Sequence, residues 1–219
     1  CVARTIEVFG HVDILINNAS ALWWQDIVRT PQSKYDLITT LNTRGSFALA
    51  RACMPHFLEQ NFGRVVSMSP PIRPEMEAYK GFTAYNISKY GMTMVAMGVA
   101  AEGRGHNITG VSLWPATVIE SQASINFELG ERSMWRKATI LADAAVALVC
   151  EGADFSGQQL IDDEYLRYKG LIDDDLVVYR YDPNVEPPRL LAESSRVATV
   201  RRGDVRKLVD DKSAVASRL

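Results

Sequence analysis

Apolar and polar positions alternate along this chain in blocks that read as strands and helices in turn. Residues 12–16, Val-Asp-Ile-Leu-Ile, form a short apolar run that ends in the polar pair Asn17-Asn18, the pattern of a buried strand. Residues 33–60 place Leu37, Leu41, Phe47, Ala50 and Met54 near helical spacing. Gly63 introduces a second strand at residues 64–68, stopped by Pro70-Pro71. A second long helix is predicted over residues 83–102, closed by Gly103 and Gly105. Residues 108–113 form a third strand, stopped by Pro115. Residues 116–136 are mixed, with short helices. An alanine-rich helix follows at 138–150, and a short fourth strand at 158–161. Strands alternating with helices predict an α/β, Rossmann-like, doubly wound parallel sheet with about four strands. The domain is expected over residues 1–182. After Asp182 the prolines Pro183, Pro187 and Pro188 open an irregular stretch, and residues 189–219 are rich in charge and serine, a partly ordered tail.

Composition narrows the function classes. A chain of 219 residues with 47% hydrophobic residues fits one domain with a full core. A formal net charge of -2 argues against a basic nucleic-acid-binding surface. Cys1, Cys53 and Cys150 are far apart and form no CxxC pair, so reduced intracellular thiols are expected. His11, His56 and His106 are scattered, and no metal site is predicted. No apolar run approaches the ~18 residues of a membrane span.

The chemistry begins at Tyr85 and Lys89. A spacing of four on a helix puts both on one face. An ammonium beside a phenol favours phenolate and tunes it toward acid/base work. Tyr165 and Lys169 share that spacing and read as incidental. An isolated pair of this kind is more often a solvated helix face, but Tyr85 opens a helix that follows a strand and a Ser/Pro turn. Asn17-Asn18-Ala19-Ser20 stands upstream at the end of a strand. Asn42-Thr43-Arg44-Gly45-Ser46-Phe47 lies between them, and Trp114-Pro115-Ala116 follows the third strand.

This ordered set resembles the short-chain dehydrogenase/reductase family over roughly residues 5–165. The resemblance implies an NAD(P)-dependent oxidoreductase. Tyr85 takes the role of proton donor or acceptor to the carbonyl or alcohol oxygen. Lys89 binds the nicotinamide ribose and lowers the Tyr pKa. Asn42 holds a water in the proton relay. Asn18 and Ala19 line the cofactor cleft, with Ser20 where the family has glycine. Pro115 and the main chain at Val118 meet the nicotinamide carboxamide, with Ala116 where glycine is usual. The family's substrate-binding serine aligns with Pro70, which has no hydroxyl. Ser69, one residue earlier, is either its substitute or a turn serine. Ser69-Pro70-Pro71 and the later Ile161-Asp162-Asp163-Glu164 resemble the hydroxysteroid dehydrogenase-like and citronellol-dehydrogenase-like subgroup.

The family holds dinucleotide phosphates on a glycine-rich turn, and neither G-x-x-x-G-x-G nor G-x-G-x-x-G occurs here. Cys1-Val2-Ala3-Arg4 reads like the middle of a helix. The expectation is therefore an N-terminally truncated domain that binds NAD or NADP weakly, with residues 12–16 as an exposed edge. Trp23, Trp24, Ile119, Ile125, Phe127, Met134 and Trp135 are candidates for an apolar pocket taking a small hydrophobic alcohol, carbonyl compound or lipid-like substrate. The terminal Ser217-Arg218-Leu219 resembles a peroxisomal import address, so import-receptor binding and peroxisomal localisation are expected, with cytoplasmic localisation otherwise. Helices at about 35–60 and 84–104 would pair in a homodimer, as the family's do. The alternative function is a non-catalytic fragment that dimerises.

Overall fold

A computed structural model describes residues 1–192. Four strands form one parallel sheet in the order β1 (Ile14–Asn17), β2 (Gly63–Met68), β3 (Ile108–Trp114), β4 (Gln159–Ile161). The register pairs Leu15 with Val65, Val65 with Gly110, and Leu113 with Leu160.

Alternation along β2 divides the core. Val65 faces a cluster with Ala50, Cys53, Phe57, Val99 and Ile108. Val66 faces the opposite cluster with Val111, Leu113, Ile140, Leu148, Phe155 and Tyr165. The first cluster is covered by α3 (Gly45–Gln60) and α4 (Thr83–Glu102), the second by α6 (Thr139–Val149) and α7 (Asp162–Tyr168). Helices on both faces explain why β2 and β3 are almost wholly buried and read as continuous apolar runs. The remaining helices are α1 (Val2–Phe9), α2 (Gln32–Ile38), α5 (Gln122–Asn126) and α8 (Asp173–Leu176).

The predicted helix over 33–60 is interrupted. Between α2 and α3 the chain widens into a π-helical stretch, Thr39–Arg44. Asn42 lies there, fully buried. Helix α4 packs closely on this stretch because Gly91 has no side chain: a Cβ there would stand 2.4 Å from Thr43 Oγ1. The Thr43 hydroxyl donates to the Ser88 carbonyl at 2.8 Å across the same contact.

From Asp182 to Ala192 the chain stays on the domain. Pro187 is buried, and the N–H groups of Leu191 and Ala192 both donate to the Ala116 carbonyl, at 3.1 and 3.3 Å. The terminal Ser217-Arg218-Leu219 lies outside the described residues. No helix among the described residues is long and apolar enough to cross a membrane. Among them, too, no group of three His, Cys, Asp or Glu side chains could hold a metal. Cys1, Cys53 and Cys150 are all free thiols.

Candidate active site

The carboxyl ends of the strands bring the predicted residues to one edge, where ligands bind in open α/β sheets. β1 delivers Asn17 and Asn18, β2 delivers Met68 to Pro70, and β3 delivers Trp114 and Pro115. Helix α4 starts nearby and carries Tyr85 and Lys89 in its first two turns. Two cavities open here. The first, about 380 Å³, is lined by Asn18, Lys89, Pro115, Val118 and Ile119 among others. The second, about 440 Å³, is walled by Pro70, Pro71, Phe82, Tyr90 and Leu190. Tyr85, Trp24, Trp114, Val118, Leu129 and Leu191 belong to both.

Tyr85 is 8% exposed and burial pushes its phenol well up. Trp24 packs edge-on against it at 6.0 Å and against Phe82 at 5.5 Å. Lys89 is 2% exposed, and burial lowers its ammonium to about 8. Its Nζ donates to the Met68 carbonyl at 2.9 Å and lies 5.2 Å from the centre of the Trp114 ring. The expected lowering of the Tyr85 pKa by Lys89 is therefore reversed here. The ammonium is engaged by a β2 carbonyl and the Trp114 face, and desolvation of the phenol dominates.

The Asn42 side chain is fully engaged within the fold. Its Oδ1 accepts from the Ala21 N–H at 2.8 Å. Its Nδ2 donates to the Ala21 carbonyl and the Ser88 hydroxyl, both at 2.9 Å. The side chain thus ties the loop after β1 to α4 behind Tyr85. Ser69 is not brought to the cavities. It is fully buried, its N–H donates to Leu113 of β3 at 3.0 Å, and its Oγ accepts from Thr93 Oγ1 at 2.8 Å. Strand alternation turns the Ser69 side chain toward α4 and leaves Pro70 on the cavity wall. The place of Ser69 is that of a packing serine and not of a cavity wall.

Asn18, Pro115 and Val118 line the first cavity, whereas Ala19 is exposed and lines neither. The Val118 carbonyl is taken by the Arg136 N–H at 2.9 Å. Of the apolar candidates, Trp24, Ile119 and Phe127 line a cavity. Trp135 acts from behind, its indole N–H donating to Leu129 at 2.9 Å. Ile125 and Met134 are exposed, and the Trp23 ring packs under Lys34. Tyr165 and Lys169 are joined through Glu151, which accepts from both at 2.8 and 3.0 Å, away from the cleft.

Other contributors were not among the predicted site residues. Asp162, at the end of β4, accepts the Ala116 N–H at 2.9 Å and so fixes the loop carrying Pro115 and Val118. Arg136, 1% exposed, pairs with Asp163 and Glu186. Buried charge pairs of this kind leave no periodic trace; the acidic run at 162–164 was their one visible sign.

With this geometry in place, the comparisons with known proteins point one way. The family model for short chain dehydrogenase matches residues 1–128, and the chain belongs to that family. Within it, the chain resembles hydroxysteroid dehydrogenase-like protein 2. It is 38% identical to the Danio rerio protein over 185 residues, covering 83% of this chain and 43% of that one. It is 33% identical to the Bos taurus protein over 216 residues, 97% of this chain and 51% of that one. The chain thus spans about half the length of these relatives. The crystal structure of a short chain dehydrogenase from Mycobacterium thermoresistibile superposes with a TM-score of 0.79 at 34% identity, covering 88% of this chain and 69% of that one. A protein from Xanthomonas campestris, assigned provisionally as a dehydrogenase, gives the same TM-score at 39% identity, covering 88% and 71%.

Proposed function

We propose that this chain carries the catalytic end of an NAD(P)-dependent oxidoreductase that interconverts a hydrophobic alcohol and its carbonyl compound. The observation that carries this reading is the place of Tyr85, on the wall shared by a cavity with polar lining groups and a second, more apolar one. The first cavity fits the nicotinamide end of the cofactor. Lys89 and Asn18 would hold its ribose, and Pro115 and Val118 its carboxamide. Bound nicotinamide supplies or accepts the hydride. The second cavity, with Pro70, Pro71, Phe82 and Leu190, suits an apolar substrate body. Burial keeps the Tyr85 phenol protonated, so it is set to give its proton to a carbonyl oxygen in the reducing direction.

No glycine-rich phosphate cradle stands in the sequence, so this chain by itself is expected to bind dinucleotide weakly. Energy transfer from its tryptophans to NADH or NADPH tests the reading. Trp24 and Trp114 line the first cavity, so the signal should appear at high cofactor concentration and weaken in Lys89→Met. Failure to saturate at any concentration would count against the assignment of the first cavity.

Exposed apolar side chains on α2, α3 and α4 and the stretch between (Leu37, Leu41, Phe47 and Met94) favour a homodimer through these helices. Ser217-Arg218-Leu219 remains a proposed peroxisomal address. A reporter fused to these residues should enter peroxisomes in eukaryotic cells; a diffuse signal would remove the proposal.

A further inference from the structure

We propose that residues 186–192 form a latched strap that walls the substrate cavity, and that Leu191 on it determines which substrates fit. This deepens the reading above and rests on it.

The strap is held by charge at one end and by the main chain at the other. Arg189 pairs with Asp163, and its second nitrogen reaches Glu164 at 3.0 Å. Asp163 is 1% exposed and also receives Arg136 at 3.3 Å and Arg167 at 3.1 Å. Glu186, at the start of the strap, pairs with Arg136 at 3.1 Å and with Arg180. Arg136 therefore joins the strap to the first turn of α7. Its own N–H holds the Val118 carbonyl on the cavity wall.

Two residues past Arg189 the main chain closes onto the cofactor-side loop. The Ala116 carbonyl accepts from Leu191 and Ala192 while its N–H is held by Asp162. The Ala116 peptide is thus clamped on both sides. This fixes Leu191 on the lining of both cavities, which Tyr85 and Trp24 also line. Leu190 borders only the second cavity and is 70% exposed, which puts it toward solvent. Leu191 is half-buried and outside the core clusters, so a change in its volume alters the cavity space that Tyr85 also lines.

The test is the shift in tryptophan emission on adding hexanol, decanol and cyclododecanol, measured on the wild type, Leu191→Ala and Leu191→Trp, each against its own alcohol-free spectrum. Trp24 and Trp114 line both cavities, so binding is read without turnover. Leu191→Ala should improve cyclododecanol relative to hexanol by about tenfold, and Leu191→Trp should shift the ratio the other way, as expected for a few methylenes of pocket volume. Arg189→Gln should speed hydrogen exchange at the Leu191 and Ala192 amides and flatten the preference. Binding with an unchanged order in all variants would overturn the role of Leu191 while leaving the proposed function standing. A wild type that binds none of the alcohols would overturn the hydrophobic-substrate reading, and this inference with it.

Discussion

At Ser69 and Pro70 one residue of register decides which side chain lines the second cavity. Ser69 follows β2 and faces α4, where Thr93 donates to its hydroxyl. Replacing it with alanine should leave turnover unchanged. It should lower stability by about 1 kcal/mol in urea unfolding, since Thr93 keeps the Pro70 carbonyl as partner. Two buried charges nearby set opposite pH dependences. Burial, with Asp163 adding to it, raises Asp162 from 3.8 to about 7. The folded state then holds the extra proton between those values, so stability falls as pH rises through that window. Lys89 is lowered from 10.5 to about 8 by burial. There the unfolded chain holds the extra proton, and stability rises with pH between about 8 and 10.5. Unfolding free energy measured across pH should therefore pass through a minimum between the two windows. Asp162→Asn should remove the acid-side slope and Lys89→Met the alkaline one, each on the order of a few kcal/mol.

Among the elements, α4 and the π-helical stretch form the contact on which the site is mounted. Gly91 permits that contact and Gly98 does not take part in it, for nothing lies within 4 Å of a Cβ at Gly98. Gly91→Ala would drive a methyl into Thr43 and should destabilise by about 1–3 kcal/mol. Gly98→Ala should stabilise by about 0.5–1 kcal/mol, because it only removes backbone freedom inside a helix. Thermal unfolding of the pair checks both signs. These elements also mark how far the sequence was legible. Apolar blocks such as Val65-Val66 and Val111 to Leu113 located the strands to within two residues, because both sheet faces are covered. The Tyr85–Lys89 spacing picked out two residues that line the first cavity. The widening at Thr39–Arg44 was not legible, since leucine spacing continues through it and only packing against Gly91 reveals it. Nor was the direction of the Tyr85 shift: spacing put the ammonium near, while the Met68 carbonyl that engages it comes from another strand.

Across the whole molecule, the features lie along one line through the cleft. β1 is an edge strand of the described sheet, with Ile14 and Ile16 about half exposed at 45% and 46%. The far side is closed by β4, the buried Arg136–Asp163 pair and the strap. Tyr85 sits between, at the junction of the two cavities. An unpaired strand edge favours association with further chain, so the whole assembly should be most soluble when β1 is covered. Ile16→Lys should raise solubility of this chain with little change in melting temperature, which light scattering beside thermal unfolding would show.

The most direct measurement is a single-turnover hydride transfer with reduced cofactor in large excess, so that weak binding does not limit it. A hydrophobic ketone is mixed with the wild type and with Tyr85→Phe, and loss of reduced nicotinamide absorbance is followed. The account expects transfer in the wild type and a drop of about a hundredfold or more in Tyr85→Phe, with cofactor energy transfer and circular dichroism unchanged. Equal rates in the two proteins would contradict the assignment of Tyr85 as the acid/base and, with it, the proposed active site.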